Sequence, residues 1–155
     1  MSQSKSTDFV EIFGGKGGVT NVCIRRRYAL NPGRNHDIVA GIDLSIQSEI
    51  DLLIKYIHEA KPLCLILGPP CTAFGSWSSY NAQHAHDAWA ESMRLGLPLA
   101  QLAARLAQIQ IDAKRFFICE NPWTSKLWDI KEWQAILAQP DVLYVRADHV
   151  RPHIN

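Results

Sequence analysis

Short apolar runs alternate along the chain with longer segments whose apolar residues recur every three or four positions. The run "FVEIF" (residues 9–13) predicts a first strand that leads directly into "GGKGG". "VTNVCIRRRYAL" then carries Val19, Val22 and Cys23 on one side of a helix and its arginines on the other. "DIVAGID" (37–43) predicts a second strand ending on a carboxylate. "SEIDLLIKYIHEA" predicts an amphipathic helix with Ser48 as N-cap. A third strand, 63–67, is apolar throughout, as suits one covered on both faces. The polar stretch "TAFGSWSSYNAQHAH" reads as a loop, and from Asp87 onward Gly96 and Pro98 divide two helices. The second of these puts Leu99, Leu102, Leu106 and Ile109 on one stripe. "RFFIC" is a fourth strand, "SKLWDIKEWQAILAQP" a helix and "VLYVRA" a fifth strand.

Such alternation implies an α/β domain with a mostly parallel, doubly wound sheet of about five strands and right-handed crossovers. The simplest strand order is 2-1-3-4-5, with a switch point between the first and third strands. Ligands bind beyond the carboxyl ends of strands at such a point, and those two ends carry "GGKGG" and "GPPC". One domain over residues 8–155 is expected, preceded by a disordered tail over 1–7.

Composition narrows the function classes. At 47% hydrophobic, 20% charged and net charge +1, the chain has no global field that would draw it onto nucleic acid. The basic run Arg25-Arg26-Arg27 reads as a solvated helix face. Four dispersed cysteines, at 23, 64, 71 and 119, supply neither a zinc site nor a disulfide framework. The polar start "MSQSKSTD" lacks a signal peptide's apolar core, and no apolar run reaches the ~20 residues of a membrane helix. A cytoplasmic or nuclear protein with reduced thiols and no membrane contact is expected.

The glycine loop could serve a triphosphate, but GxxxxGK[ST] is absent and Thr20 is followed by Asn21. Alternatively it is a turn that lets a cofactor approach the backbone, with Asp43, 25 positions after Gly18, binding ribose hydroxyls. Glycines that simply make a turn, and an Asp43 that caps the next helix, would leave the same pattern. Cys23, Cys64 and Cys119 read as small buried hydrophobes, whereas Cys71 lies on a proline-stiffened loop. Glu120 follows "FFIC" directly, so it is expected in a low-dielectric setting that raises its pKa.

Taken together, "FVEIFGGKGG", "GIDLS", "GPPC" and "CENP" resemble the cytosine-5 DNA methyltransferases, most of all the branch whose motifs read PPCTxFS and ENP. The resemblance spans residues 9–128 and implies a Rossmann-like core that binds S-adenosylmethionine and acts on DNA or RNA. Phe13, Gly15, Gly17, Gly18, Asp43 and Pro70 would line the cofactor site. Cys71 would attack C6 of the base, Glu120 would hydrogen-bond its N3 and amine, and Asn121 and Pro122 would border the substrate. No metal is implied. Glu11 stands where the family has aspartate, Gly75 where the branch has serine, and the connection from Asp43 to Pro62 is short. The chain also stops before the family's arginine motif and target-recognition domain. Arg146 and Arg151 are the available arginines, neither is given the missing role, and a second chain could supply recognition.

Two other readings compete: a non-catalytic binding or partner module on the same core, and a hydrolase pairing Cys71 with His84 or His86. The two histidines read more simply as solvated loop residues. Trp77, Tyr80 and Trp89 suit either base stacking or helix packing. Trp123, Trp128 and Trp133 read as lid and core packing.

Overall fold

The computed structural model describes residues 6–147. Three parallel strands form one sheet in the spatial order β1 (Phe9–Ile12), β2 (Cys64–Leu67), β3 (Phe116–Cys119). These are the first, third and fourth apolar runs of the sequence. The register aligns Val10, Leu65 and Phe117, then Ile12, Leu67 and Cys119, so these six share a face. That face packs into one cluster with Leu53 and Ile57 of α2 (Gln47–Ala60), the alanine-rich stripe of α4 (His86–Asp112), and Trp133 and Ile136 of α5 (Lys131–Leu137). Each large side chain fully removed from water there contributes about 1.5–3 kcal/mol.

The opposite face is covered unevenly. At β1, Phe9 and Glu11 are buried, and Cys23 is the one buried residue of α1 (Gly18–Arg25), whose Val19 and Val22, expected on the same side, are exposed. On β3, Phe116 and Ile118 of that same face are 66% and 59% exposed.

Several expected elements take other forms. The second strand is reduced to two isolated parallel bridges, Phe9 to Pro32 and Ile12 to His36. Pro32 has no N–H to extend a ladder. Asp37 then accepts from the Val39 N–H at 2.8 Å and turns residues 38–40 into a 3₁₀ helix, so the expected strand over 37–43 does not form. The helix α2 is capped at Ile46 without a side-chain bond, and Ser48 lies inside it.

Within the expected loop, Ser78–His84 forms α3. The Ser78 hydroxyl anchors it, donating to the Ala73 carbonyl and accepting from the Trp89 indole. The helix α4 runs unbroken through Gly96 and Pro98. Proline inside a helix costs about 3 kcal/mol, which burial of the Ala100–Ala107 stripe offsets. Gly96 is there for packing: a Cβ would come within 2.8 Å of the Ala73 Cβ.

After β3, a 3₁₀ turn (Lys126–Asp129) and α5 replace the single expected helix, parted by the extended Ile130. Among the described residues "VLYVRA" forms no strand. Most of the expected tail lies outside the described residues. Its last two, Ser6 and Thr7, are fixed by bonds from the Asn31 side chain and the Leu63 N–H. No described helix is long and apolar enough to cross a membrane.

Candidate functional site along the carboxyl edge of the sheet

The glycine loop leaves β1 through Phe13, whose φ of 59° is unusual for a residue with a side chain. Gly15 and Gly17 also have positive φ, 55° and 72°. The chain itself neutralises this loop. The Glu11 carboxylate accepts from the Val19 N–H at 3.0 Å, the Thr20 N–H at 2.8 Å and the Thr20 hydroxyl. It therefore occupies the start of α1, where a phosphate would otherwise bind. Asp37 accepts from the Gly15 N–H at 2.9 Å, and the Asn35 amide donates to the Gly15 carbonyl at 2.8 Å. Gly15 and Gly18 face open space, with nothing within 4 Å of where a Cβ would stand.

Asp43 lies past the 3₁₀ turn rather than at a strand end. Its Oδ1 accepts from both the N–H and the hydroxyl of Ser45, at 2.9 and 2.6 Å, and these bonds hold its carboxyl below the usual range. The acid at the carboxyl end of the second chain segment is Asp37, one residue beyond the His36 bridge. Sequence reasoning passed over it because the expected strand sat several residues too far along. His36 is buried and lies tilted against Tyr56, ring centroids 5.1 Å apart, and its pKa is pulled down to about 4 by burial and then by Arg34.

The three motif-bearing ends are joined by hydrogen bonds across the sheet. Gly68 N–H donates to the Ile12 carbonyl at 3.0 Å and Glu120 N–H to the Leu67 carbonyl at 2.9 Å. The Asn121 amide donates to the Pro69 carbonyl at 2.8 Å. Gly68 is needed for this approach, since a Cβ would lie 3.1 Å from the Phe13 carbonyl oxygen.

Cys71 is exposed and heads the 3₁₀ turn Thr72–Phe74, its carbonyl accepting from the Phe74 N–H. Pro69 is buried, Pro70 exposed. A Cβ on Gly75 would meet only the Cys71 carbonyl, at 3.8 Å, so a serine fits there. Of the other thiols, Cys23 is buried, and burial pushes Cys64 and Cys119 up.

Glu120 is exposed, contrary to the low-dielectric setting expected of it. The reason is that β3 is an edge strand, with no fifth strand beside it among the described residues. Glu120 and Asn121 line a cavity of about 550 Å³ outside β3, walled by Phe117, Trp123, Trp128 and Tyr144. Cys71 does not line it. The Asn121 Oδ1 is buried without a partner. Trp123 stacks flat on Tyr144 at 4.9 Å, and Arg146 lies over the Trp123 ring. Trp128 and Trp133 pack edge to face in the core, so of the three tryptophans only Trp123 is exposed.

Arg25, Arg26 and Arg27 are solvated. Trp77 and Tyr80 pack edge to face, and His84 lies against Tyr80. No described group of His, Cys, Asp or Glu has the arrangement of a metal site.

The sheet and its edge thus define a mixed α/β protein with a three-stranded parallel sheet. No protein-family model, curated protein or solved structure matches the chain.

Proposed function

We propose that the chain is an S-adenosylmethionine-dependent methyltransferase of the cytosine-5 type, acting on DNA or RNA, on a Rossmann-like doubly wound sheet. The observation that carries the reading is the row of hydrogen bonds just described: it sets the glycine turn, the Pro-Pro-Cys loop and the Glu-Asn-Pro loop side by side on one edge. The filled start of α1 weighs against a triphosphate in the same loop.

The open space above Gly15 and Gly18 suits a cofactor lying on the loop, held by Phe13, Gly15, Gly17, Gly18, Asp43 and Pro70. Bound there, S-adenosylmethionine supplies the methyl group. The Cys71 thiolate adds to C6 of an extrahelical pyrimidine, and the displaced electron pair makes C5 nucleophilic. Glu120 hydrogen-bonds N3 and the exocyclic amine and offsets the charge that develops on the ring. Asn121 and Pro122 border the base.

One observation favours a second reading, a non-catalytic module on the same core: the cavity at Glu120 is not lined by Cys71. Calorimetry with S-adenosylhomocysteine, followed by trapping with 5-fluorocytosine DNA and RNA oligonucleotides, decides between them. The enzyme binds the cofactor product and forms a covalent adduct that Cys71→Ala abolishes. Binding without an adduct leaves the module. No binding at millimolar ligand removes both.

A further inference from the structure

The outer side of β3 carries an unfinished ladder. Phe116 and Glu120 turn their N–H groups toward β2, donating to the Leu63 and Leu67 carbonyls. By the alternation of a parallel strand, Phe117 and Cys119 turn theirs, with their carbonyls, away from β2 into the groove. Across that groove runs the segment from Asp141 to Ala147, which forms its opposite wall.

The two walls match. "RFFICE" (115–120) and "DVLYVR" (141–146) are both six residues long, with four apolar residues between charges of opposite order. Laid parallel, Asp141 meets Arg115 and Arg146 meets Glu120. Asp141 already lines a smaller cavity together with Arg115, and Arg146 lines the larger one together with Glu120. Parallel is also the direction that a right-handed crossover through α5 delivers. In this alignment Leu143 falls beside Phe117 and Val145 beside Cys119, on the core face of the sheet. As described they are 86% and 74% exposed.

We infer that Val142–Arg146 is a strap that closes onto β3 as a fourth parallel strand, filling the groove and walling in Glu120. The described arrangement is its open position. Tyr144, stacked on Trp123, keeps the segment beside the edge it would join. Valine, leucine and tyrosine suit a half-buried strand better than an exposed coil. The inference is independent of the methyltransferase reading and is tested without cofactor.

The test has two arms on the full chain. Amide exchange is measured for Phe117 and Cys119 in the wild type and in Val145→Lys, which a solvated coil would tolerate. The strap predicts protection in the wild type and at least tenfold faster exchange in the variant. In the second arm, mild oxidation followed by peptide mapping looks for a disulfide from Cys119 to Val145→Cys or, as register control, Leu143→Cys. Neighbouring strands lie about 4.8 Å apart, inside the disulfide window of about 4.4–6.8 Å. Bridging at 145 and not at 143, with the loss of protection, supports the strap. Equal bridging at both sites, no bridging, or exchange unmoved by Val145→Lys overturns it.

Discussion

Two ends of the sheet are finished differently. At β1 the chain answers the polar groups of the glycine loop: Glu11 caps α1, Asp37 accepts from the Gly15 amide and Asn35 donates to the Gly15 carbonyl, while the Asn35 Oδ1 and the His36 Nε2 are buried without partners. At β3, Phe117 and Cys119 turn backbone groups into a cavity, and Phe116 and Ile118 face water. The first corner is tied by side-chain bonds to its own backbone. The second has no such ties at its outer edge in the described arrangement.

That contrast sets the sizes of the expected effects. Glu11→Ala removes three hydrogen bonds from a buried carboxylate and frees two amides of α1. It should cost about 3 kcal/mol in denaturant unfolding. A loss below about 1 kcal/mol would erase the distinction between the two ends.

The next effect is one of pH. His36 is held neutral inside, its pKa near 4 against an ordinary 6.5, so the unfolded chain takes up its proton first. This stability is complete above pH 6.5 and is lost as the pH falls from 6.5 toward 4. The loss amounts to about 2 kcal/mol after allowance for solvent screening. His36→Phe, which keeps a ring against Tyr56, should flatten the pH profile over that window.

Gly15→Ala meets no atom but must hold a φ of 55°, which should cost about 1 kcal/mol. Smallest is Glu120→Gln at the open end: an exposed group should change stability by less than about 0.5 kcal/mol. A Glu120 variant as damaging as Glu11→Ala would show that the outer edge is as tightly built as the inner one.

The paired strands were legible as short apolar runs, broken only by Glu11 in β1, although the burial of β3 does not follow from its run. Position 96 misled because a glycine that admits Ala73 and a glycine that stops a helix look alike in one dimension. The helix α3 was hidden because its residues are polar and its anchor, Ser78 on Ala73 and Trp89, is tertiary. Asp37 was invisible as a loop anchor because its partner, Gly15, is 22 positions away. The motif ends were read from local sequence alone, and their neighbourhood follows from the strand pairing. The exposure of Glu120 could not be read, since an edge strand and an inner strand carry the same apolar letters.

The uninterrupted course of α4 has a mechanical consequence. Pro98 brings no amide to the carbonyl one turn earlier, so the helix lacks one of its hydrogen bonds there. On one side of that gap the Ala100–Ala107 stripe packs into the core, and on the other the bare Gly96 leaves room for Ala73, two residues from the exposed thiol. The loop that carries Cys71 is thus seated on the same helix that packs against the sheet.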